Sequence, residues 1–552
     1  MALDGVVAWP GDLSHAYRVA GCWRGQPLGA DLWRWAEQWG ERDALVDGDR
    51  RLTYRELAEV TDALATGLAG QGFVAGDTVL VQLPNCWEFV VVTLACLRLG
   101  VVPVMMLPPH REYELSSIGA HVRAAGLIVP DSWRGYDHQD LAHRVAAQLP
   151  DPARVLVVGA QPRPDSIDVR ALLAEPGEVL ARRQWLDERA PAGSDVAVCL
   201  LSGGTTGVPK VISRTHDDYA YNIKQSAITC AFDASTVYLV VLPAGHNFPL
   251  ACPGILGALS VGGRVVMLGS PRPDAVFEAI EAERVTATSA VPAVALKWMD
   301  AARESRRDLS SLRYLHVGGS VLSPELAARI GPALGCQLQQ VYGMAEGLIC
   351  YTAVDACDEV AHTTQGAPIS AYDELLVIDP DGKPVPIGAV GELLTRGPYT
   401  PRGYYGVPEH NSVAFTADGW YRTGDLVRIT EQGNVVVCGR VKDLINRAGE
   451  KISADEIETL VQEMPQVAEV AAVAMPDPET GERVCLFVRV RDEHSLALAD
   501  VAESLTARGL AAFKIPELLV VLPQLPHTAI GKPDRKALRA LLAEFPPGQP
   551  PS

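Results

Sequence analysis

The sequence lacks the features that mark several common classes of protein. Its eleven cysteines are scattered, and it contains no C-x-x-C pair and no cysteine–histidine cluster with zinc spacing. A disulfide framework and a structural zinc site are therefore not expected. The formal net charge of −19 leaves no basic surplus, which argues against binding to nucleic acid through a general attraction to phosphates.

A recognisable export signal is also absent from the first residues. MALDGVVAWPGDLSHAYRVA has acidic residues and a proline where a signal peptide has a basic start followed by an apolar block. We therefore expect a cytoplasmic protein.

One stretch, Phe89 to Leu107, is long and apolar enough to suggest a membrane span. Arg98 lies in its middle, and Gly100 and Pro103 divide it into a helix-length piece and a short β-branched piece. This pattern favours a buried helix running into a buried strand, so no association with a membrane is expected.

The chain of 552 residues is too long for one ordinary core, and its composition of 48% hydrophobic and 21% charged residues is typical of a globular protein. Short apolar runs alternate with helical patterns such as PDAVFEAIEAERV. The runs are TVLVQL (Thr78 to Leu83), RVLVVG (Arg154 to Gly159), RVVML (Arg264 to Leu268) and YLHVGG (Tyr314 to Gly319). Their alternation predicts an α/β fold with parallel-rich sheets covered by helices.

The pattern changes near Ala371, where Asp-Gly and Gln-Gly turns between alternating runs predict the hairpins of a β-rich subdomain. From about Arg440, a helical run is followed by two apolar strands and a closing helix, KPDRKALRALLAEF. We therefore predict a large N-terminal region over residues 1–441 and a small α+β C-terminal domain over residues 442–552.

A glycine-rich loop lies between Cys199 and His216, where the sequence reads CLLSGGTTGVPKVISRTH. It does not fit the Walker pattern G-x-x-x-x-G-K-[ST], because Pro209 precedes Lys210 and Val211 follows it. Uncovered backbone N–H groups, three hydroxyls and the charge of Lys210 are nevertheless suited to hold a phosphate. Taken alone, the loop is either a surface turn or a different kind of phosphate loop.

Four further motifs decide between these two interpretations. VYGMAEG (Val341 to Gly347), YRTGDL (Tyr421 to Leu426), GRVKDLINRAGEKI (Gly439 to Ile452) and TAIGKPDRKAL (Thr528 to Leu538) follow the loop in order. With GGTTGVPK they resemble the motifs of the adenylate-forming superfamily, which includes acyl- and aryl-CoA synthetases, luciferases and the adenylation domains of peptide synthetases. The resemblance implies an adenylation core over residues 1–441 and a mobile lid domain with a catalytic lysine over residues 442–552.

The resemblance also implies which residues bind ATP and magnesium. The loop would hold the β- and γ-phosphates, Tyr342 would stack on adenine, and Asp425 would accept both ribose hydroxyls with Arg440 nearby. Glu346 would be a ligand of Mg²⁺, which takes hard oxygen ligands and substrate phosphates. The implied nucleotide-binding set is Ser202, Gly203, Gly204, Thr205, Thr206, Gly207, Lys210, Gly318, Gly319, Ser320, Val341, Tyr342, Gly343, Asp425 and Arg440.

The implied catalytic set is Lys532, His246, Glu346, Lys442 and Gly449. Lys532 would bridge the carboxylate and the α-phosphate and stabilise the charge that develops in the transition state. Lys442 occupies the hinge position, where rotation of the small domain would exchange Lys532 for the loop around Gly449. His246 would lie near the carboxylate and the α-phosphate.

The segment LPAGHNFPLACPG (Leu242 to Gly254) is similar to that of stand-alone enzymes that activate salicylate or 2,3-dihydroxybenzoate for siderophores and related peptides. Gly204, Ala345 and the stretch RGYYGVPEHN agree with the same subgroup. Asn247 would contact the carboxylate or the ortho-hydroxyl of the acid, at a position where an amino-acid-activating domain needs an acidic side chain. The implied acid-binding set is Asn247, Phe248, Cys252, Gly319, Val341 and Ile349.

The choice of acid depends on the far side of its ring. Dihydroxybenzoate enzymes typically have serine and valine at the positions of Cys252 and Ile349. Because cysteine is a weaker hydrogen-bonding partner than serine and isoleucine is larger than valine, we predict salicylate or a substituted salicylate, with 2,3-dihydroxybenzoate as the alternative.

The acceptor of the aryl group is expected to be a separate molecule. No carrier-protein segment follows the helix after Lys532, which favours the phosphopantetheine thiol of an aryl carrier protein in siderophore or nonribosomal peptide biosynthesis. The alternative is coenzyme A, as in an aryl-CoA ligase of catabolism. A non-catalytic binding protein is disfavoured because Lys532, Glu346 and Asp425 are all present.

Overall fold

The computed structural model describes residues 3–173, 178–202, 209–319, 322, 324–440, 444–526 and 533–543. The chain divides into two compact units. The first comprises Met1–Pro108, Gly119–Leu201 and Val211–Gly439, and the second comprises Pro109–Ile118, Ser202–Lys210 and Arg440–Ser552. The predicted boundary between residues 441 and 442 lies outside the described residues and stays a prediction.

Two parallel-rich sheets dominate the described part of the chain. The seven-stranded sheet has the order Lys210–Thr215, Val196–Ser202, Val102–Met105, Thr78–Val81, Gly126–Pro130, Arg154–Val158, Ile167–Asp168. The nine-stranded sheet has the order Ala367–Pro368, Ile349–Tyr351, Gln337–Gly343, Tyr314–Val317, Ala287–Ala290, Val237–Val240, Arg264–Met267, Asp43–Asp47, Arg50–Thr53. The four apolar runs singled out in the sequence all form strands of these sheets, so the predicted α/β fold is confirmed.

The helices between these strands cover the sheets, as the alternating pattern predicts. The α-helices are Gly11–Val19, Asp31–Trp39, Tyr54–Gly70, Trp87–Leu99, Glu112–Val122, His138–Gln148, Val169–Leu173, Val179–Asp187, His216–Thr229, Asn247–Ala251, Gly254–Ser260, Pro273–Glu283, Pro292–Ala302, Pro324–Leu334, Asp358–Thr363, Pro408–Ala414, Ala454–Gln462, Leu498–Ala507 and Arg535–Ala543, with short 3₁₀ helices at Leu28–Ala30 and Ala512–Lys514.

The β-rich part predicted after Ala371 forms an antiparallel sheet. Its strands, in order, are Glu374–Ile378, Gly391–Arg396, Tyr421–Ile429 and Val435–Arg440. Another small antiparallel pair joins Ser132–Trp133 to Tyr136–Asp137.

The second unit has its own sheet, with strands in the order Glu450–Ser453, Leu444–Arg447, Gly481–Val490, Val467–Asp477 and with Leu518–Val521 parallel to Gly481–Val490. Helix Ala454–Gln462 packs its apolar face on this sheet, and Ile457 and Val461 are buried there. This arrangement is the compact α+β domain that the sequence predicts.

The apolar stretch Phe89 to Leu107 forms the helix Trp87–Leu99 and the strand Val102–Met105. Gly100 separates them in a left-handed conformation, with φ of 82°, which glycine adopts without strain. The predicted buried helix and strand are confirmed. Across the described ranges, no helix combines the length and the apolar character that a membrane crossing requires.

Arg98, in the middle of that stretch, is an internal ion-pair partner. Its guanidinium Nε lies 2.9 Å from Oδ1 of Asp62, and both side chains are 1% exposed. The indole N–H of Trp33 donates to the other oxygen of Asp62 at 2.7 Å. The charge in this apolar helix is therefore balanced inside the core.

Replacing Arg98 by methionine should destabilise the protein by about 3–5 kcal/mol, because it leaves the carboxylate of Asp62 buried without its cation. The midpoint of urea unfolding would measure this loss. Arg55→Met is the matched control, since Arg55 forms an exposed pair with Glu41 and such pairs contribute at most about 1 kcal/mol. Equal shifts for the two variants would contradict the assigned role of Arg98.

Candidate active site

Several of the predicted acid- and nucleotide-binding residues lie where parallel strands of the nine-stranded sheet end. Gly318 and Gly319 follow the strand Tyr314–Val317, and Val341 to Gly343 end the neighbouring strand Gln337–Gly343. His246 and Asn247 follow the strand Val237–Val240 after a short turn. In open α/β sheets, ligands bind in the crevice outside such carboxyl ends.

The turn before His246 is held by the side chain of Asn85. Its amide N–H₂ donates to the carbonyl oxygen of Leu242 at 2.9 Å, and its amide oxygen accepts from the N–H of Ala244 at 2.8 Å. His246 then stands at the N-cap of the helix Asn247–Ala251. The position of the next side chain, Asn247, is therefore fixed by the backbone on its N-terminal side.

The amide of Asn247 is held at both ends by other side chains. The hydroxyl of Tyr219 donates to its Oδ1 at 2.8 Å, and its Nδ2 donates to Sγ of Cys252 at 3.2 Å. Burial raises the pKa of the Cys252 thiol to about 12, so the sulfur stays protonated and neutral. The structure thus brings together Asn247 and Cys252, two residues of the predicted acid-binding set.

Gly318 and Gly343 lie close to apolar side chains of the predicted acid-binding set. A Cβ atom at Gly318 would lie 2.9 Å from the carbonyl oxygen of Val341 and 3.5 Å from Cε1 of Phe248. One at Gly343 would lie 3.3 Å from Cγ1 of Ile349, which pairs with Gly343 across antiparallel strands. A side chain at Gly318 would clash with the backbone of Val341, so glycine is required there, and the side chains of Phe248 and Ile349 lie beside the two glycines.

Glu346 is buried, and its carboxylate is oriented by a tyrosine. The hydroxyl of Tyr404 donates to Oε1 of Glu346 at 2.7 Å and lies 2.9 Å from the hydroxyl of Tyr421. Gly347 follows with φ of 133°, and a Cβ there would lie 2.6 Å from Oγ1 of Thr400. Only glycine fits at that position, so the turn that presents Glu346 is fixed.

A single oriented carboxylate fits Mg²⁺, which in nucleotide-binding enzymes takes one or two carboxylates together with phosphates and waters. In the ranges that the structure describes, no group of three or more His, Cys, Asp or Glu side chains is arranged to hold a metal ion. A magnesium ion at Glu346 would therefore complete its coordination with oxygen atoms of the nucleotide and with water.

The predicted adenine and ribose residues are in contact. The hydroxyl of Tyr342 donates to Oδ2 of Asp425 at 2.7 Å, and Asp425 is 5% exposed. The backbone N–H of Asp425 donates to Oγ1 of Thr423 at 3.0 Å. Asp425 lies in the middle of the strand Tyr421–Ile429, and its carboxylate is held by the hydroxyl of Tyr342.

Some of the remaining predicted residues lie in the part of the chain that the structure describes, and the others lie outside it. Ser202 ends the strand Val196–Ser202 and Lys210 begins the strand Lys210–Thr215. Gly449 lies at a turn between the strands Leu444–Arg447 and Glu450–Ser453, with φ of 90°. Arg440 is the last residue of its strand. Outside the described residues lie Gly203, Gly204, Thr205, Thr206, Gly207, Ser320, Lys442 and Lys532.

Three residues of this region escape the sequence analysis: Arg214, Tyr219 and Tyr404. Arg214 is fully buried, donates to Asp218 at 2.7 Å and to the carbonyl oxygen of Ala345 at 3.1 Å, and has its guanidinium carbon 5.0 Å from the ring centroid of Tyr219. A signal was present in the sequence, because an arginine stands in KVISRT, the stretch that directly follows the glycine-rich loop.

Comparison with known families agrees with this geometry. The family model described as AMP-binding enzyme matches residues 32–405, and the model of the AMP-binding enzyme C-terminal domain matches residues 456–532. The chain belongs to the AMP-binding enzyme family. It is therefore an adenylate-forming ligase, as the motifs predict.

Individual members of the AMP-binding enzyme family match the chain over nearly its whole length. A salicylyl-CoA synthase / salicylate adenylyltransferase of a Streptomyces species is 53% identical and covers 98% of both chains. A 2-hydroxy-7-methoxy-5-methyl-1-naphthoate–CoA ligase of Streptomyces carzinostaticus is 53% identical, with 97% of both chains covered. A salicyl-AMP ligase / salicyl-S-ArCP synthetase of Mycobacterium tuberculosis is 44% identical, with 97% of this chain and 94% of that protein covered.

A solved structure of the same type confirms the fold. The apo structure of Mycobacterium smegmatis MbtA is 44% identical and superposes with a TM-score of 0.75, covering 98% of this chain and 99% of that chain.

Proposed function

We propose that this enzyme activates salicylate or a substituted salicylate with ATP to give the aryl-AMP, with release of pyrophosphate, and then passes the aryl group to the phosphopantetheine thiol of a separate aryl carrier protein. The observation that carries the proposal is the neutral amide of Asn247, held between Tyr219 and Cys252. A substrate with an ammonium group would need an acidic partner there, whereas an aryl acid does not.

The chemistry has two steps. A carboxylate oxygen attacks the α-phosphorus, and the bond from the α-phosphorus to the oxygen that leads to pyrophosphate breaks. A thiol then attacks the acyl carbon, loses its proton, and AMP leaves. In the first step two anions meet, so we assign Lys532 and Lys210 to charge neutralisation and His246 to a position near the reacting carboxylate.

The nucleotide would be held by the remaining motif residues. We assign adenine to the face of Tyr342, the ribose hydroxyls to Asp425 and Arg440, and the β- and γ-phosphates to the loop from Ser202 to Lys210. Glu346, oriented by Tyr404, would hold Mg²⁺, which would neutralise phosphate charge.

The ring substituents are assigned from two side chains of the predicted acid-binding set, Cys252 and Ile349. Cys252 already accepts the amide N–H of Asn247 on its sulfur, and a thiol is a weak partner for a further hydroxyl. Ile349 is buried opposite Gly343. These two residues favour salicylate over 2,3-dihydroxybenzoate. One relative is named for a substituted 2-hydroxynaphthoate. It supports, as a second candidate, an acid with a larger ring system that also has a hydroxyl ortho to the carboxylate.

The acceptor has two candidates. The relative named salicyl-S-ArCP synthetase supports a carrier protein, and the two relatives named for CoA support coenzyme A. Supplying purified enzyme and aryl acid with a phosphopantetheinylated aryl carrier protein or with coenzyme A, and comparing kcat/KM for the thiol, separates these candidates. A higher value for coenzyme A would overturn the carrier assignment.

Pyrophosphate exchange across a panel of acids tests the substrate assignment. We expect salicylate to exceed 2,3-dihydroxybenzoate in kcat/KM by about 10- to 200-fold, because a site without a hydrogen-bonding partner for an added hydroxyl discriminates to that extent. Benzoate, 2-hydroxy-1-naphthoate and phenylalanine complete the panel. A preference for 2,3-dihydroxybenzoate would overturn the assignment of Cys252 and Ile349, and exchange with phenylalanine alone would overturn the proposed function.

A further inference from the structure

Tyr219 contacts Asn247, a residue of the predicted acid-binding set, without belonging to any of the motifs that define the family resemblance. It lies in helix His216–Thr229 and is 1% exposed. Its hydroxyl donates to Oδ1 of Asn247 at 2.8 Å, and the guanidinium carbon of Arg214 lies 5.0 Å from its ring centroid. Burial raises the pKa of Tyr219 well above its usual value, so the hydroxyl keeps its proton and remains a donor.

The hydrogen bond from Tyr219 fixes which end of the amide faces which way. The oxygen of Asn247 faces Tyr219, and its nitrogen faces Cys252, whose sulfur also lies 3.9 Å from Nδ2 of Asn222. Two amide nitrogens therefore point at this sulfur, which makes it an acceptor. An amide nitrogen has two hydrogens, so Nδ2 of Asn247 keeps one for a ligand.

Salicylate presents only acceptors to such a donor. Its phenolic hydrogen is donated to its own carboxylate, so the phenolic oxygen offers lone pairs outward, and the carboxylate is itself an acceptor. In 2-aminobenzoate, one N–H is donated to the carboxylate and the second points outward. That second N–H would face the N–H of Asn247, and two donors cannot satisfy each other.

We propose that Tyr219 is a positioning residue that locks the amide of Asn247 with its N–H toward the acid, and that this lock makes the enzyme select ortho-hydroxy aryl acids over ortho-amino aryl acids. The proposal rests on the proposed function. It extends that function from Asn247, the residue assigned to contact the acid, to Tyr219, the residue that orients the Asn247 amide. Without the lock, the amide can turn over and offer its oxygen to an amine.

The test compares wild type with Tyr219→Phe in pyrophosphate exchange with salicylate, 2-aminobenzoate and benzoate. We expect the salicylate to 2-aminobenzoate ratio of kcat/KM to fall by about 3- to 10-fold, the amount that one neutral hydrogen bond supplies. The kcat/KM for benzoate, which has no ortho group, should change less than about twofold, and the KM for ATP should not change.

Tyr221→Phe is the matched control. Tyr221 lies in the same helix and is also buried, but its hydroxyl is 2.8 Å from Oγ of Ser370 rather than bonded to Asn247. Its substitution removes an equivalent buried hydroxyl and should leave the acid ratio as in wild type. A uniform loss with all three acids in Tyr219→Phe, or an unchanged ratio, would show a purely structural role and overturn the proposal.

Asn247→Asp keeps the proposal testable if Tyr219→Phe folds poorly. An aspartate can accept from the Tyr219 hydroxyl but offers no N–H, so we expect lower activity with every acid and a ratio shifted toward 2-aminobenzoate by more than about tenfold. If Asn247→Asp prefers salicylate over 2-aminobenzoate as strongly as wild type does, the assigned orientation of the Asn247 amide is wrong. If wild type exchanges pyrophosphate with none of the aryl acids, the proposed function is wrong. This result is distinct from the outcomes that contradict only the role of Tyr219.

Discussion

Replacing Lys532 by alanine should lower the rate of aryl-adenylate formation by at least about 100- to 1,000-fold, the range found when a preorganised charge-stabilising group is removed. The side chains assigned to the acid site, Asn247, Phe248 and Cys252, carry no charge that could offset the meeting of a carboxylate and a triphosphate. A lysine placed between the two anions would supply it. Pyrophosphate release that depends on the aryl acid measures this step directly.

The second half reaction makes the Lys532 experiment more specific. Because Lys532 is assigned only to adenylate formation, the variant should still transfer the aryl group from synthetic aryl-AMP to the thiol at a rate within about threefold of wild type. Lys383→Ala is the matched control, since Lys383 is exposed in a turn of the β-rich part. Wild-type pyrophosphate release from Lys532→Ala would rule out the assignment.

Glu346→Gln should lower kcat by about 10- to 100-fold and raise the Mg²⁺ concentration needed for half-maximal activity, because a charged ligand is replaced by a neutral one. The substitution is nearly isosteric, and the amide oxygen of glutamine can still accept from the Tyr404 hydroxyl that now lies 2.7 Å from Oε1. The packing around residue 346 should therefore survive, so the effect reports on charge.

A binding measurement separates the metal role of Glu346 from a general loss of activity. Isothermal titration of ATP with and without Mg²⁺ should show a clear gain in affinity from Mg²⁺ in wild type and a smaller gain in Glu346→Gln. Glu409→Gln, at an exposed position in helix Pro408–Ala414, serves as the control and should behave as wild type. An identical magnesium effect in Glu346→Gln and wild type would remove Glu346 from the metal site.

The sequence predicts the strands and the buried helix well because the residues that determine them are close together in the chain. Apolar runs bounded by glycine and proline suffice to place the strand Thr78–Val81 and the helix Trp87–Leu99. The motifs likewise single out Asn247, Glu346 and Asp425 as candidate site residues. Each of these residues stands in a short stretch with a distinctive pattern, to which we assign part of the chemistry.

The supporting residues are not predictable in this way, because their role depends on a partner far along the chain. A tyrosine in an amphipathic helix, such as Tyr219, has the same pattern as an ordinary core residue until the fold places Asn247 against its hydroxyl. The same holds for Tyr404 and Glu346, and for Arg98 and Asp62. A buried polar side chain is expected to have a polar partner, but the sequence does not identify which residue that partner is.

The order of strands in the nine-stranded sheet has a consequence for biosynthesis. The hairpin of Asp43–Asp47 and Arg50–Thr53 is made first, yet its parallel partner, Arg264–Met267, is made only after all strands of the seven-stranded sheet, from Thr78–Val81 to Lys210–Thr215. During synthesis on the ribosome, the edge of the first hairpin that will pair with Arg264–Met267 therefore stays unpaired until the intervening strands have been made. Such an edge is a site for wrong pairing between chains, so slow synthesis or removal of chaperones should reduce the yield of active enzyme before it affects the stability of the finished fold.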